Sequence, residues 1–284
     1  MSTTLPLGVL RSIFHPTDFT AGSEVAFAHA LKLALVAGAT LHVMHASTSK
    51  VRDWRQFPGV RSMLARWGLL AADSPRHAVA DLGIEVRKVI AHERDPVTAC
   101  LRFLDGHHAD LIVLAVHQRD RRMRWLQAAV AEPLARRAGQ ATLFIPYGIE
   151  GFVSRRDGSL SLRKVLAPVI ARPAAHGALD TTARLVRVLA PDAGTVRVLH
   201  VGTAAHAPAL ALQRDGGWTW TPVNAQGDAV ATILDHARTL PADLVVMTTA
   251  GPDGFLDGLR GTTSEQVLRD APCPVLIVPA PAHA

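Results

Sequence analysis

The residues best suited to binding chemistry lie in the second half of the chain, directly after an apolar run. Thr248-Thr249-Ala250-Gly251 follows this run, and Gly261-Thr262-Thr263 begins a helical pattern a short distance further on. Because glycine has no Cβ, a glycine-rich loop after a parallel strand can bring backbone N–H groups close to a phosphate. The start of the next helix adds partial positive charge, and Thr262 adds a hydroxyl. The spacing therefore predicts a loop that accepts a phosphate group.

This loop belongs to the second of two copies of one unit. Three segments of the first half recur in the same order in the second half: Thr40–His45 with Thr195–His200, Ala109–Val113 with Ala242–Val246, and Leu143–Pro146 with Leu276–Pro279. The 284 residues have room for two domains, which commonly contain about 100 to 150 residues each. We predict a first domain over residues 1–150, a polar glycine-rich linker over 151–163 and a second domain over 164–284.

Apolar strands alternate with amphipathic helices in the first copy. The strands are predicted at Val9–Phe14, Leu41–Ala46, Ile84–Ile90, Leu111–Val116 and Thr142–Pro146. Ser23 is predicted to cap the first helix and Gly38 to end it. Asp95-Pro96 begins another helix, and a third is expected around Val130–Ala138. Continuous apolar strands between helices predict a doubly wound α/β fold, in which a parallel sheet is covered on both faces.

The second copy is shorter between its second and fourth strands, so its middle helix is expected to be lost or reduced. Trp218 and Trp220 should lie on one face of a short strand, because side chains alternate along a strand. For the same reason His42 and His45 should point to opposite faces and cannot share a metal ion. His45 and His200 are interpreted as satisfied histidines at the edge of the core.

The composition argues against several classes of protein. The net charge of +6 favours anionic partners, but the basic residues are spread over both copies without a recognition-helix pattern, so nucleic acid is not an expected partner. No apolar run approaches the roughly 20 residues that span a bilayer, and the start lacks the basic region of a signal peptide, so we expect a cytoplasmic protein without a membrane partner. Cys100 and Cys273 form neither a disulfide framework nor a metal-binding pair.

Taken together, several segments resemble the universal stress protein family in its tandem two-domain form. The resemblance rests on Pro16–Thr20, on the strands ending in His45 and His200, on the repeated Ala-Asp-Leu segments and on Cys273–Pro279. It implies two tandem doubly wound five-stranded parallel sheets of order 3-2-1-4-5, paired about a pseudo-two-fold through their last strands. It also implies a stress-response regulator that binds ATP or another adenine nucleotide and requires no metal. Nucleotide-binding members carry, after strand four, two glycines with two residues between them, then nine residues, then a glycine followed by serine or threonine.

The second copy matches most of this pattern. Thr248 stands at the first glycine position, and Gly251, Gly261 and Thr262 occupy the other three. The acidic residue that the family has after strand one falls at Ile170, so a polar contact to the nucleoside is lost. The residues that we assign to the nucleotide site are Val169, Thr248, Gly251, Gly261, Thr262 and Thr263. Binding is expected to order the loop over 252–260 and thereby signal to a partner.

The first copy departs from the pattern in the opposite way. It keeps Asp18, which is either the remnant of a vestigial site or, in our interpretation, a turn or helix-capping carboxylate. Its loop positions hold Ala115, Gln118, Ala128 and Ala129, whose side chains would crowd a phosphate. The arginine-rich segment 119–124 is interpreted as a solvated surface loop, with a site for another anion or for a partner's acidic face as the alternative.

Three functions follow from this pattern. The main interpretation is a non-catalytic regulator that binds an adenine nucleotide in the second domain and acts through an unknown protein partner, with scope for a further homodimer. The first alternative is a nucleotide-free interaction scaffold of the same fold. The second is a weak ATP hydrolase, although the sequence offers no evident base or metal-binding carboxylate near the loop.

Overall fold

A computed structural model describes residues 10–48, 56–116, 134, 137–169, 175–189, 193–203, 208, 217–249 and 263–279. The strands are β1 (Ser12–Pro16), β2 (Thr40–Ala46), β3 (Glu85–Ala91), β4 (Leu111–Val116), β5 (Ala141–Pro146), β6 (Lys164–Val169), β7 (Gly194–Val201), β8 (Trp218–Ala225), β9 (Leu244–Thr249) and β10 (Val275–Pro279). The helices are α1 (Ala21–Ala37), α2 (Val60–Arg66), α3 (Pro96–Gly106), α4 (Ala175–Leu189), α5 (Ala229–Thr239) and α6 (Thr263–Asp270), with a 3₁₀ helix at Arg76–Leu82.

The ten described strands form one sheet in the order β3-β2-β1-β4-β5-β10-β9-β6-β7-β8. Neighbouring strands are parallel within each half, whereas β5 and β10 are antiparallel, with Phe144 opposite Val275 and Thr142 opposite Ile277. Each half therefore has the order 3-2-1-4-5, and the junction relates the halves by a pseudo-two-fold axis. This confirms the predicted fold. The junction also covers one open edge of each half, which would otherwise be free to pair with other chains.

Two apolar layers cover the two faces of the sheet. Side chains of α1, α2 and α4 pack on one face and those of α3, α5 and α6 on the other. Consecutive strand residues enter different layers, as Ile13 and Phe14 do, because side chains alternate along a strand. Burial on both faces explains why the strands are continuously apolar. Helices α1 and α4 also contact each other, so the core on their face is continuous across the two halves.

The bounds of the first strand and helix differ from the prediction. Strand β1 continues through His15 to Pro16, where a stop was expected, because its pairing with β2 extends to Pro16, opposite Met44. The Nδ1–H of the buried His15 also donates to the Val113 carbonyl at 2.9 Å. Thr20, three residues before the predicted cap Ser23, caps α1 by accepting from the Ser23 backbone N–H at 3.4 Å. Gly38 ends the helix in the left-handed conformation, as predicted.

Other predicted elements agree closely with the structure. Asp95 begins α3 by accepting hydrogen bonds from the backbone of Val97 and Thr98 at 3.3 and 3.0 Å. Trp218 is buried and Trp220 is half-buried on the same face of β8. The predictions for a helix around 130–138 and for a reduced helix in the second copy fall mainly on residues outside those described.

Asp110 and Asp243, which occupy the same position in the repeated Ala-Asp-Leu segments, tie neighbouring strands together. The Oδ2 atom of Asp110 accepts hydrogen bonds from the backbone of Arg11 and Ser12 at 2.8 and 3.0 Å. Asp243 Oδ2 accepts from the backbone of Arg163 and Lys164, both at 2.8 Å. Each aspartate thus joins the start of its half's fourth strand to the start of its first strand, so the repeated residue has a structural role in both halves.

The segment predicted as a polar linker is an ordered hairpin that packs on α1. Val153 and Leu160 form an antiparallel bridge, and Phe152 and Val153 are fully buried. The Nε2 atom of His29 accepts from the backbone N–H groups of Phe152 and Val153 at 3.2 and 3.3 Å, while its Nδ1–H donates to the Val25 carbonyl at 2.9 Å. Burial lowers the pKa of His29 to about 4. The neutral imidazole therefore holds the connection against the first half.

Candidate functional site

The crevices that could hold a ligand lie where the strand order of each half reverses. Strands β6 and β9 pair at Val165–Leu244 and Leu166–Val245, near the start of both strands. By contrast, β6 pairs with β7 along its whole length, and β9 with β10 along most of its own. The carboxyl ends of β6 and β9 are thus free of each other, and β1 and β4 repeat this arrangement in the first half. Open α/β sheets bind ligands beyond the carboxyl ends of strands at such points.

Two predicted site residues border the crevice of the second half. Val169 is the last residue of β6 and is buried, and the half-buried Thr248 lies near the end of β9, opposite Val278 of β10. Continuing the β6–β9 register would bring Val169 and Thr248 level with each other, on the same face of the sheet. Because the pairing between β6 and β9 stops short of these residues, Val169 and Thr248 border the crevice from its two sides.

The remaining predicted residues of the second half are only partly described. Thr263 is the exposed first residue of α6. Helix α6 packs against α5 and β9. Gly251, Gly261 and Thr262 lie outside the described residues, as does Ile170. The same holds for Gln118, Ala128, Ala129 and the arginine-rich segment 119–124 of the first half.

His200 lies beside Val169, and the sequence did not identify it as a site residue. Its Nδ1–H donates to the Val169 carbonyl at 3.4 Å, and within the described residues its buried Nε2 has no hydrogen-bond partner. The interpretation as a fully satisfied histidine is therefore correct for only one of its nitrogens. Gly202 approaches the ring so closely that a Cβ there would lie 3.0 Å from Nε2. In the first half, His45 Nδ1–H donates to the Thr17 carbonyl at 2.8 Å in the equivalent arrangement.

In the first half, Asp18 belongs to the turn that starts α1. Its Oδ1 atom accepts hydrogen bonds from the backbone and hydroxyl of Thr20 at 3.0 and 2.7 Å and from the Ser23 hydroxyl at 2.5 Å. This geometry is that of a turn carboxylate, which holds the residues around the N-cap Thr20. The next residue, Phe19, has a φ of 64°, a conformation that residues with a Cβ rarely adopt.

A cleft of about 410 Å³ opens next to this turn, between the start of α1 and helix α2. Its lining comprises Thr17, Phe19, Thr20, Ala21, Glu24, Gln56, Pro58, Gly59, Ser62, Met63 and Arg66. The cleft lies on the α1–α2 face of the first half and therefore differs in position from the crevice between β6 and β9. Nothing in the spacing of these residues indicated it, because the lining comes from two separate segments.

Other chemically active side chains are buried or isolated. Burial raises the pKa of both Cys100 and Cys273 to about 12, which leaves their thiols protonated and unreactive at neutral pH. Burial also lowers the pKa of His15 to about 4. Within the described part of the chain, no group of three or more histidine, cysteine, aspartate or glutamate side chains could hold a metal ion. In the same part, no helix has the length and apolar character needed to cross a membrane.

Comparison with known proteins agrees with the observed fold. The model of the universal stress protein family matches residues 10–146 and 203–279. The chain belongs to the universal stress protein family. A universal stress protein of Methanocaldococcus jannaschii is 39% identical over 56 residues, which cover 20% of this chain and 33% of that protein. The chain thus spans about a third of the length of this curated relative.

Solved structures share the tandem architecture. A universal stress protein from Archaeoglobus fulgidus DSM 4304 superposes with a TM-score of 0.59 at 15% identity, over 96% of this chain and 98% of that one. The cytoplasmic domain of a prokaryotic cation chloride cotransporter superposes with a TM-score of 0.53 at 12% identity, over 95% of each chain. These similarities concern the fold alone, which hosts different functions in different proteins. The function of this universal stress protein therefore has to be argued from its own residues.

Proposed function

We propose that this protein is a non-catalytic regulator that binds an adenine nucleotide in its second half and acts through a protein partner. The observation that carries the proposal is the crevice between β6 and β9, where the strand order reverses. A parallel sheet supplies a ligand site at such a point without further rearrangement. The sequence supplies Gly251, Gly261 and Thr262 for the loop that would follow β9.

In the proposed complex, the phosphates contact backbone N–H groups of the glycine loop, together with the start of the helix that contains Thr263. Val169 and Thr248 border the nucleoside end of the crevice. The Thr248 hydroxyl offers a hydrogen bond where nucleotide-binding family members have glycine. No metal ion is needed for this arrangement, because backbone donors and the helix dipole neutralise the phosphate charge.

The first half supports nucleotide binding less well. Its Asp18 carboxylate already accepts three hydrogen bonds from its own turn. Ala115 occupies the first of the loop positions at which the family pattern has glycine. We therefore propose a single nucleotide per chain, in the second half.

Isothermal titration calorimetry with ATP tests the proposal on the full chain and on Gly261→Asp. The substitution puts a side chain and a negative charge where the phosphates would lie, so we expect wild type to bind about one equivalent and the variant to bind at least about tenfold more weakly. Gly106→Asp is the matched control. Gly106 ends α3 in the other half, and a Cβ there meets no atom within 4 Å, so its affinity should equal that of wild type.

Two results would favour the alternatives. The absence of heat with ATP, together with purified protein that carries no nucleotide, would overturn the proposal and leave an interaction scaffold. Release of phosphate over many turnovers that Gly261→Asp abolishes and Gly106→Asp preserves would instead establish a slow ATP hydrolase.

A further inference from the structure

The cleft between α1 and α2 carries opposite charges side by side. Glu24 lies in the first turn of α1, and Arg66 is the last residue of α2. The Arg66 Nη1 atom is 3.8 Å from Glu24 Oε1, and Arg155 Nη1 is 3.8 Å from Glu24 Oε2. Both distances exceed a hydrogen bond. The carboxylate and the guanidinium are 42% and 50% exposed, so each retains capacity for a polar ligand.

The rest of the cleft is a fixed, partly apolar wall. Phe19 stacks on His45 with the ring centroids 4.0 Å apart and meets the edge of Phe57 at 5.2 Å. Its φ of 64° is the one positive value among the described residues other than glycine. Such a conformation persists only where the surroundings hold it, and it commonly marks functional sites. Across the cleft, Lys88 Nζ donates to the Pro58 carbonyl at 3.1 Å, which ties the segment before α2 to β3.

The charges limit what the cleft can accept. A phosphate or a dicarboxylate would pair with Arg66 but would place a like charge beside the Glu24 carboxylate, whereas a simple amine would pair with Glu24 but would place a like charge beside Arg66 and Arg155. A ligand that carries both an ammonium and a carboxylate satisfies both groups, because Glu24 can accept from the ammonium while Arg66 donates to the carboxylate. The apolar surfaces of Phe19, Pro58 and Met63 in the same cleft fit an apolar side chain.

We propose that this cleft is a second ligand site, which binds a free α-amino acid with an apolar side chain. The ammonium group contacts Glu24, the carboxylate contacts Arg66 and the Ser62 hydroxyl, and the side chain packs on Phe19 and Met63. The site lies in the first half of the chain, and none of its residues belongs to the crevice proposed for the nucleotide. The chain thus has two separate small-molecule sites, one in each half.

Calorimetry with three probes tests the proposal on the full chain. L-Leucine carries both charges, isocaproate is the same molecule without the ammonium, and isopentylamine is the same molecule without the carboxylate. We expect leucine to bind about one equivalent and at least about tenfold more tightly than either of the other two. Glu24→Gln and Arg66→Gln should each weaken leucine binding by about tenfold or more, because each removes one of the two charge-assisted contacts.

Glu93→Gln and Arg102→Gln provide the matched controls. These residues form an ion pair at 3.1 Å on the α3 side of the same half, so the same substitutions there should leave leucine affinity within about twofold of wild type. Gly261→Asp should also leave it unchanged, which separates this proposal from that of the nucleotide. Equal binding of leucine and isocaproate, or the absence of heat with leucine, methionine and phenylalanine alike, would overturn the proposal.

Discussion

The paired aspartates Asp110 and Asp243 give the most direct test of how the two halves are built. Each occupies the same place in its half and accepts two backbone hydrogen bonds through one carboxylate oxygen, with all four distances between 2.8 and 3.0 Å. We predict that Asp110→Ala and Asp243→Ala destabilise the protein by nearly the same amount. The backbone donors belong to different segments, Arg11 and Ser12 in one half and Arg163 and Lys164 in the other, so equal costs would trace to the shared contact.

The size of the effect follows from the hydrogen bonds that are lost. A hydrogen bond to a charged group contributes about 1.5–3 kcal/mol when buried, and these backbone donors are partly exposed, so we assign about 1 kcal/mol to each. Replacing either aspartate by alanine should therefore lower the free energy of unfolding by about 2 kcal/mol. Asparagine keeps an oxygen acceptor but loses the charge, so Asp110→Asn and Asp243→Asn should cost about 1 kcal/mol each.

Urea denaturation at pH 8 measures these differences. Because β5 and β10 join the halves into one sheet, we expect a single transition whose midpoint moves to lower urea without a change in slope. Asp73→Ala, at an exposed turn, is the control and should change the free energy of unfolding by less than about 0.5 kcal/mol.

Two outcomes would refute this reasoning. A loss below about 0.5 kcal/mol for both alanine variants would show that water replaces the carboxylate at no cost. A loss confined to one half would show that the repeated residue does not have one role in both halves.

Two further predictions concern buried titratable groups. Burial lowers the pKa of His29 to about 4 in the folded protein, whereas an unfolded histidine titrates near 6.5. His29 therefore contributes about 3 kcal/mol to the free energy of unfolding above pH 6.5, and this contribution is lost as the pH falls to 4. Stability measured between these pH values should fall less steeply in His29→Gln than in wild type, and an equal slope would contradict the assignment. Cys100 and Cys273 have pKa values raised to about 12, so both should resist a thiol reagent at pH 8 in the native state and react after unfolding. Rapid labelling of the native protein would contradict this and would show that the core opens readily.

The fold could be predicted because its sequence pattern occurs in both halves of the chain. The two copies of Ala-Asp-Leu followed by apolar residues gave the fourth strand of each half, and the two copies ending in Ile-Pro or Val-Pro gave the fifth. Continuous apolar character distinguished strands buried on both faces from those of a half-exposed sheet. The family resemblance then supplied the strand order, which local patterns do not contain.

The details that differ from the sequence-based expectations depend on contacts distant in sequence. Strand β1 continues past His15 because it pairs with β2 as far as Pro16, and the local pattern of His15-Pro16, which predicted a stop, does not contain that pairing. The connecting segment looked like a linker because glycine, serine and arginine dominate it. It folds on α1 because His29, far away in sequence, accepts its backbone N–H groups, a pairing that composition cannot indicate.

The candidate sites show the same limit more strongly. Motif spacing suggested the proposed nucleotide site through its glycines, since a phosphate needs bare backbone. A ligand of the α1–α2 cleft would not require glycine, because side chains of two different helices would hold it. These side chains, such as Glu24 and Arg66, are far apart in sequence and form no motif. The halves share the aspartates that join their strands and differ in what surrounds the carboxyl ends of those strands. A duplicated fold can therefore keep the same sheet in both halves while its two candidate sites differ, because the residues that join the strands are not the residues that line the candidate sites.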